Sequence, residues 1–161
     1  MPCTLADLTS SSIFIDGKVF EPSLLTASKD ATGDSFTGNS ADNTMIVDVL
    51  DKLTIDGKEG TNTVDYSDRS NSIIATLPEA GSTSSATRGV VKDALSNIQN
   101  ITGTSKVDNI TDSSLANTIL AGAGKDTITA GKGGVDHYDG GDEIDALDVS
   151  NSTSDVTISL D

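Results

Sequence analysis

Large aliphatic residues recur every nine positions through the second half of the chain, at Ile101, Ile110, Ile119 and Ile128. Ile101, Ile110 and Ile128 each sit between two polar residues, as in Asn109-Ile110-Thr111 and Thr127-Ile128-Thr129. A three-residue strand puts its middle side chain on one face and its neighbours on the other. The pattern therefore predicts one short strand per nine residues, with the six residues between strands turning the chain. It continues past a single inserted residue, Ala130, to Tyr138 and Leu147. Two units then make one coil with a strand on each side, and same-side strands stack at about 4.8 Å. On this reading Ile101, Ile119 and Tyr138 line one inner side, and Ile110, Ile128 and Leu147 line the other. The expected fold is all-β, built of right-handed parallel coils, with little helix.

The turns carry a second pattern. From 121 to 148 the chain reads AGAGKDTIT, Ala130, GKGGVDHYD and GGDEIDALD. Each unit opens on small or Gly residues and holds an Asp at its sixth place: Asp126, Asp136 and Asp145. Glycine suits such turns because it takes φ > 0 without steric cost. Same-side turns recur every second unit, so Asp126 and Asp145 fall together on one edge, and Asp136 falls on the opposite edge next to Asn117. Stacked carboxylates repel by about 1 kcal/mol per pair at 4 Å in water, and more where water is excluded. A hard cation removes that repulsion. Calcium takes about six to eight oxygen ligands from carboxylates and peptide carbonyls, and a Gly-rich turn with an Asp supplies both.

The first half repeats the pattern weakly. KDATGDSFT (29–37) carries Asp34 and Phe36, GNSADNTMI (38–46) carries Asn43 and Met45, and GKEGTNTVD (57–65) carries Asn62 and Val64. Between them the register slips, with Asp51 and Leu53 as the expected pair. Asn keeps an oxygen but loses the charge, so this block is expected to be structural. Asp65 to Leu77 and Asp148 to Leu160 match at an offset of 83, as do Gly57 with Gly140 and Val64 with Leu147. That points to an internal duplication, each half ending in a longer strand, Ile73–Leu77 or Val156–Leu160. Ile13–Phe20 reads as a hairpin around Asp16-Gly17, a candidate cap. The expected division is 1–28 as an N-terminal hairpin segment, 29–77 as a degenerate block, 78–93 as a surface loop, and 94–161 as a regular block. Pro78 and a Gly/Ser/Thr cluster mark the loop, with at most a turn of helix at Val90–Leu95.

Charge narrows the partners. The 161-residue chain has a formal charge of -15, and its acids are 21 Asp against 4 Glu. That bias fits turn and ligand chemistry. Nucleic acid is disfavoured, since phosphate binding needs a basic patch. With 3% aromatics and no Trp, a thin repetitive core is expected in place of an ordinary one. Cys3 is the lone cysteine, so no internal disulfide forms. His137 is the lone histidine and reads as an outward strand residue, so no catalytic His pair or zinc site is expected. Asn100 and Asn109 match glycosylation acceptors but fall where strands are predicted. No stretch approaches the ~20 apolar residues of a membrane helix. Residues 1–25 lack a basic start and a long apolar run, so export would use a route other than a standard signal peptide.

These units resemble the repeats-in-toxin, or hemolysin-type calcium-binding, repeats. The resemblance covers roughly 29–161 and is most specific at 121–148. It implies a parallel β-roll with calcium between successive turns on one edge, in modules of exported bacterial proteins. Carried over by position, it implies Asp126, Asp136 and Asp145 as side-chain ligands and Asp108 as a further one, although Lys106 replaces the turn glycine there. Gly122, Gly124, Gly134, Gly140 and Gly141 would be turn residues lending carbonyls. The chain departs from the pattern at Ala121, Lys132, Glu143 and Leu115–Asn117, which implies few ions and not a filled ladder. The leading expectation is a non-enzymatic calcium-binding structural module of a secreted or surface-exposed protein. Alternatives are a virion or assembly decoration protein bound to a larger lattice, an ice- or polysaccharide-binding face formed by Asn109, Thr111, Thr127 and Thr129, and an accessory module of a larger exported enzyme.

Overall fold

The structure, a computed structural model, describes residues 13–15, 18–20, 24–26, 34–47 and 52–153. It is all-β, with no helix among the described residues. The strands are β1 (Ile13–Ile15), β2 (Lys18–Phe20), β3 (Leu24–Thr26), β4 (Asp34–Thr37), β5 (Thr44–Ile46), β6 (Leu53–Asp56), β7 (Thr63–Asp65) and β8 (Ile73–Thr76). There follow β9 (Thr83–Arg88), β10 (Val91–Ser96), β11 (Asn100–Thr102), β12 (Asn109–Thr111), β13 (Thr118–Leu120), β14 (Thr127–Thr129), β15 (His137–Asp139) and β16 (Ala146–Asp148).

β1 and β2 pair antiparallel, as the hairpin reading of Ile13–Phe20 expects. The other strands form two sheets, ordered β16-β14-β12-β8-β9-β10-β6-β4 and β15-β13-β11-β7-β5-β3. From β11 onward, successive strands alternate between the sheets and pair in parallel with the strand two places away. Ile101, Ile119 and Tyr138 stand in one cross-strand row, and Ile110, Ile128 and Leu147 in another. Ile101, Ile110, Ile119 and Ile128 are buried, Tyr138 packs at the margin of the core, and Leu147 is 37% exposed. Leu147 keeps its register, but β16 is the last described strand and nothing described covers it. The ten-residue step from Ile128 to Tyr138 is absorbed in the turn, where Ala130 is buried.

The structure corrects three expectations. The stretch 78–93 is not a loop throughout, because β9 and β10 form an antiparallel hairpin joined by Gly89-Val90. Gly89 has φ 62, as a two-residue hairpin turn with Gly first requires. Nor is Val90–Leu95 helical. The hairpin lies between β8 and β6, pairing antiparallel with β8 and parallel with β6. Its inward residues are Ala86, Arg88, Asp93 and Leu95, all buried. In the slipped unit, the residue in register with Phe36 and Leu95 is Ile55, not Leu53, although both are fully buried.

The offset of 83 takes a specific form. It carries Phe36 onto Ile119, Met45 onto Ile128, Ile55 onto Tyr138 and Val64 onto Leu147. Each pair lies in opposite sheets, so corresponding units occupy alternate sides of the molecule. The Asp16-Gly17 turn, Asp51 and the closing segment Val156–Leu160 lie outside the described residues.

Candidate functional site

In the regular coils the residue just before a strand reaches with its side chain to the backbone of the neighbouring turn. Before the strands of the eight-stranded sheet, that column is Ile73, Asp108, Asp126 and Asp145. Asp108 Oδ1 accepts the Ile73 amide at 2.7 Å, Asp126 Oδ1 accepts the Asp108 amide at 2.7 Å, and Asp145 Oδ1 accepts the Asp126 amide at 2.9 Å. The column carbonyls are used as well: Thr127 N donates to Asp108 O at 2.9 Å and Ala146 N to Asp126 O at 2.8 Å. The stacking of Asp126 with Asp145, and of Asp136 with Asn117, agrees with the two-unit period.

The opposite edge makes the same bonds mostly with amide side chains. Asn62 Oδ1 accepts the Asn43 amide at 3.0 Å, and Gln99 Oε1 accepts the Asn62 amide at 2.8 Å. Asn117 Nδ2 reaches Gln99 O at 2.6 Å. Asn43, Asn62 and Asn117 are buried. Among the described residues Asp136 is the one carboxylate at the sixth place on this edge, its Oδ1 accepting the Asn117 amide at 2.9 Å, and Asp42 Oδ1 one place earlier in its unit accepts the Thr61 amide at 2.7 Å. The sequence pointed to a structural part for Asn43 and Asn62, which their cross-turn bonds and burial agree with, and gave Gln99 no role. Their shared sixth place within the unit was the available signal.

The carboxylates differ in how fully they are satisfied. Asp108 also accepts Thr104 N at 2.6 Å and Thr104 Oγ1 at 3.0 Å, so both its oxygens are committed within the protein. Asp126 is 2% exposed, and its Oδ2 accepts no hydrogen bond. Burial raises the Asp126 pKa above the usual carboxylate range, and the charges of Asp108, Asp145 and Glu143 add to the rise against the Asp108 amide. Burial also raises Asp108, opposed by bonds from Thr104 and Ile73. An ionised, desolvated oxygen with no donor costs several kcal/mol by rough count.

The turn glycines let neighbouring backbone close in. A Cβ on Gly124 would stand 2.6 Å from Lys106 O and 3.0 Å from Asp126 Oδ1. On Gly134 it would strike Leu115 O and Asp136 Oδ1, on Gly122 it would strike Thr104 O, and on Gly141 it would strike Gly122 O. Gly122, Gly124, Gly134 and Gly141 all have positive φ. Gly140 does a different job, making room for the side chain of Asp145 in its own unit. Carbonyl and carboxylate oxygens thus gather at Gly124 and again at Gly134. Among the described residues, no three His, Cys, Asp or Glu side chains already converge on one point.

Two further networks lie inside the sheets. Asp93 accepts Arg88 Nε at 2.8 Å, Leu53 N at 2.8 Å and Tyr66 Oη at 3.2 Å. Arg88 and Asp93 are buried, and these donors compensate a desolvation that an unpaired charge could not meet. Burial, then the Asp93 charge, holds the Tyr66 hydroxyl well above its ordinary pKa. At the other end, Tyr138 Oη donates to Asp112 Oδ2, while Asp112 Oδ1, also buried, accepts nothing. Burial pushes Asp112 up to about 6, the charges of Asp136 and Glu79 adding to it against the Tyr138 hydroxyl and the nearby Gly131 amide. His137 is exposed in β15, and Asn100 and Asn109 lie in strands, as expected.

Among the described residues no helix is long and apolar enough to cross a membrane. No family model matches the chain, and no curated protein matches it.

Proposed function

We propose that the chain is a right-handed parallel β-roll whose carboxylate edge binds calcium, and that it serves as a non-enzymatic structural module of a secreted or surface-exposed protein. One observation carries the reading: Asp126 Oδ2 is buried, unpartnered and surrounded by like charge. On the opposite edge Asn62 and Gln99 perform the same cross-turn bonding with neutral side chains, so the hydrogen bonds alone do not require a carboxylate. The charge at 108, 126 and 145 is therefore available to a cation. Asp126 and Asp145 would hold it, with peptide oxygens of the turns, such as Lys106 O beside Gly124. Asp136 would serve the opposite edge in the same way. Asp108 would act chiefly as a cap, since Thr104 and Ile73 occupy its oxygens. Bound calcium supplies positive charge between the turns and so stabilises the folded form by RT ln(1 + [L]/Kd).

The test is thermal melting and calorimetric titration of the protein in calcium, magnesium and chelator. At millimolar calcium, against a Kd of roughly 10⁻⁴–10⁻³ M for extracellular modules, the melting temperature rises by a few degrees over chelator. Identical melting in all three refutes the assignment.

A second reading is favoured by the outer face of the eight-stranded sheet. Thr129, Thr111 and Thr76 follow one another across β14, β12 and β8. Ser85, Ala94, Thr54 and Ser35 do so across β9, β10, β6 and β4. Such a face of short, mostly hydroxyl-bearing side chains at strand spacing suits polysaccharide or ordered water. Retention on a polysaccharide matrix that is lost on Thr111→Lys would support it, and no retention by the wild type would remove it.

A further inference from the structure

The turn 140–145 sits directly on the turn 122–126. Asp142 N donates to Gly122 O at 3.0 Å, Ala123 bridges Asp142, and Asp126 N donates to Asp145 Oδ1 at 2.9 Å. This stacking sets Glu143 over Gly124, the fourth place of the unit. At that place Gly60, Gly124 and Gly134 have φ of 85, 137 and 96. Glu143 holds φ 82, a conformation that costs a residue with a Cβ. Asn97 holds positive φ at that place too, and Lys58 elsewhere in its unit, but Glu143 is the one of the three that bears a carboxylate. Glu143 is exposed, and its charge already acts on Asp126.

We propose that Glu143 is a side-chain ligand of a divalent cation seated over Asp126 Oδ2, completing a three-carboxylate set with Asp126 and Asp145. The role lies outside the glycine pattern of the turn, and it rests on the calcium reading of Asp126. Metal-free, the turn bears both backbone strain and the repulsion of three acids around one desolvated oxygen. The cation cancels the repulsion and draws the exposed Glu143 carboxylate inward by side-chain rotation. Carboxylates mixed with peptide carbonyls form an irregular all-oxygen set, which suits calcium better than the octahedral demand of magnesium.

The experiment compares wild type, Glu143→Gly and Glu143→Gln by calorimetric titration with calcium chloride and by melting in chelator. Glu143→Gly relieves the strain and raises the chelated melting temperature by about 2–4 °C, yet binds calcium about tenfold more weakly. Glu143→Gln keeps the strained backbone, gains less in chelator and loses similar affinity. If wild type binds calcium and both variants bind equally well, Glu143 is only a strained turn residue, and this inference falls while the Asp126 reading stands. If wild type does not bind calcium, the Asp126 reading itself fails and takes this inference with it.

Discussion

The two edges of the molecule solve one problem with different chemistry. Each must satisfy a backbone amide where a turn hands over to a strand, because an unpaired buried amide is costly. The edge before the six-stranded sheet does it with Asn62 and Gln99 at 2.8–3.0 Å, turning to a carboxylate only at Asp136, at 2.9 Å. The edge before the eight-stranded sheet does it with Asp108, Asp126 and Asp145 at 2.7–2.9 Å. A carboxylate oxygen accepts such a bond more strongly than an amide oxygen, but the amide oxygens of Asn62 and Gln99 suffice to make it, so the bond by itself does not require the charge. The difference separates what folding needs, an acceptor at the sixth place, from what that edge carries beyond it.

The largest expected effect lies on the neutral edge. Asn62 is fully buried, and its amide group both accepts from Asn43 N and donates to Asn97 O and Glu59 O. Asn62→Ala should therefore cost about 2–3 kcal/mol in denaturant melts, by orphaning several buried groups. Asp126→Ala in chelator should cost clearly less, because losing the Asp108 cap is offset by removing a repelled charge. Equal costs would erase the distinction between the edges.

The hydrophobic spacing made the strands legible and left these columns half read. Ile101, Ile110, Ile119 and Ile128 announced their strands because each fills an inner row at a fixed nine-residue spacing. The Asp residues stood out because charge at a fixed place is conspicuous. Asn43 and Asn62 were placed by the same spacing, but Gln99 and the cross-turn bonds were not, since neutral amides are common in loops for many reasons. The β9–β10 hairpin was hidden for a related cause. Its outward Thr83, Ser85 and Thr87 look like loop residues, and its inward face spends two places on Arg88 and Asp93. Only their pairing in three dimensions makes those charges acceptable inside. The Gly89-Val90 turn between alternating residues was the signal available, and it is weak without the partner strand.

A smaller effect should appear with pH. Asp112 has its folded pKa raised to about 6 from 3.8. The folded state therefore holds its proton where the unfolded state has lost it. Stability from this group is full below about pH 4 and is lost as pH rises through 6. In chelator, the protein should be more stable near pH 5 than at 7.5 by roughly 1–3 kcal/mol, and Asp112→Asn should flatten that slope. A chelated protein that gains stability from pH 5 to 7.5 would contradict the placement of Asp112 beside Tyr138.

The most direct measurement converts one edge into the other. The double variant Asp126→Asn with Asp145→Asn keeps the acceptors for the Asp108 and Asp126 amides and removes only the charge. Its melting temperature is measured in chelator and in millimolar calcium beside the wild type. In chelator the variant should melt at or above the wild type, and calcium should raise the variant less than the wild type, only by what Asp136 on the opposite edge still binds. A variant that melts lower in chelator, or that gains as much with calcium as the wild type, would contradict the claim that the charge of this edge exists for a cation.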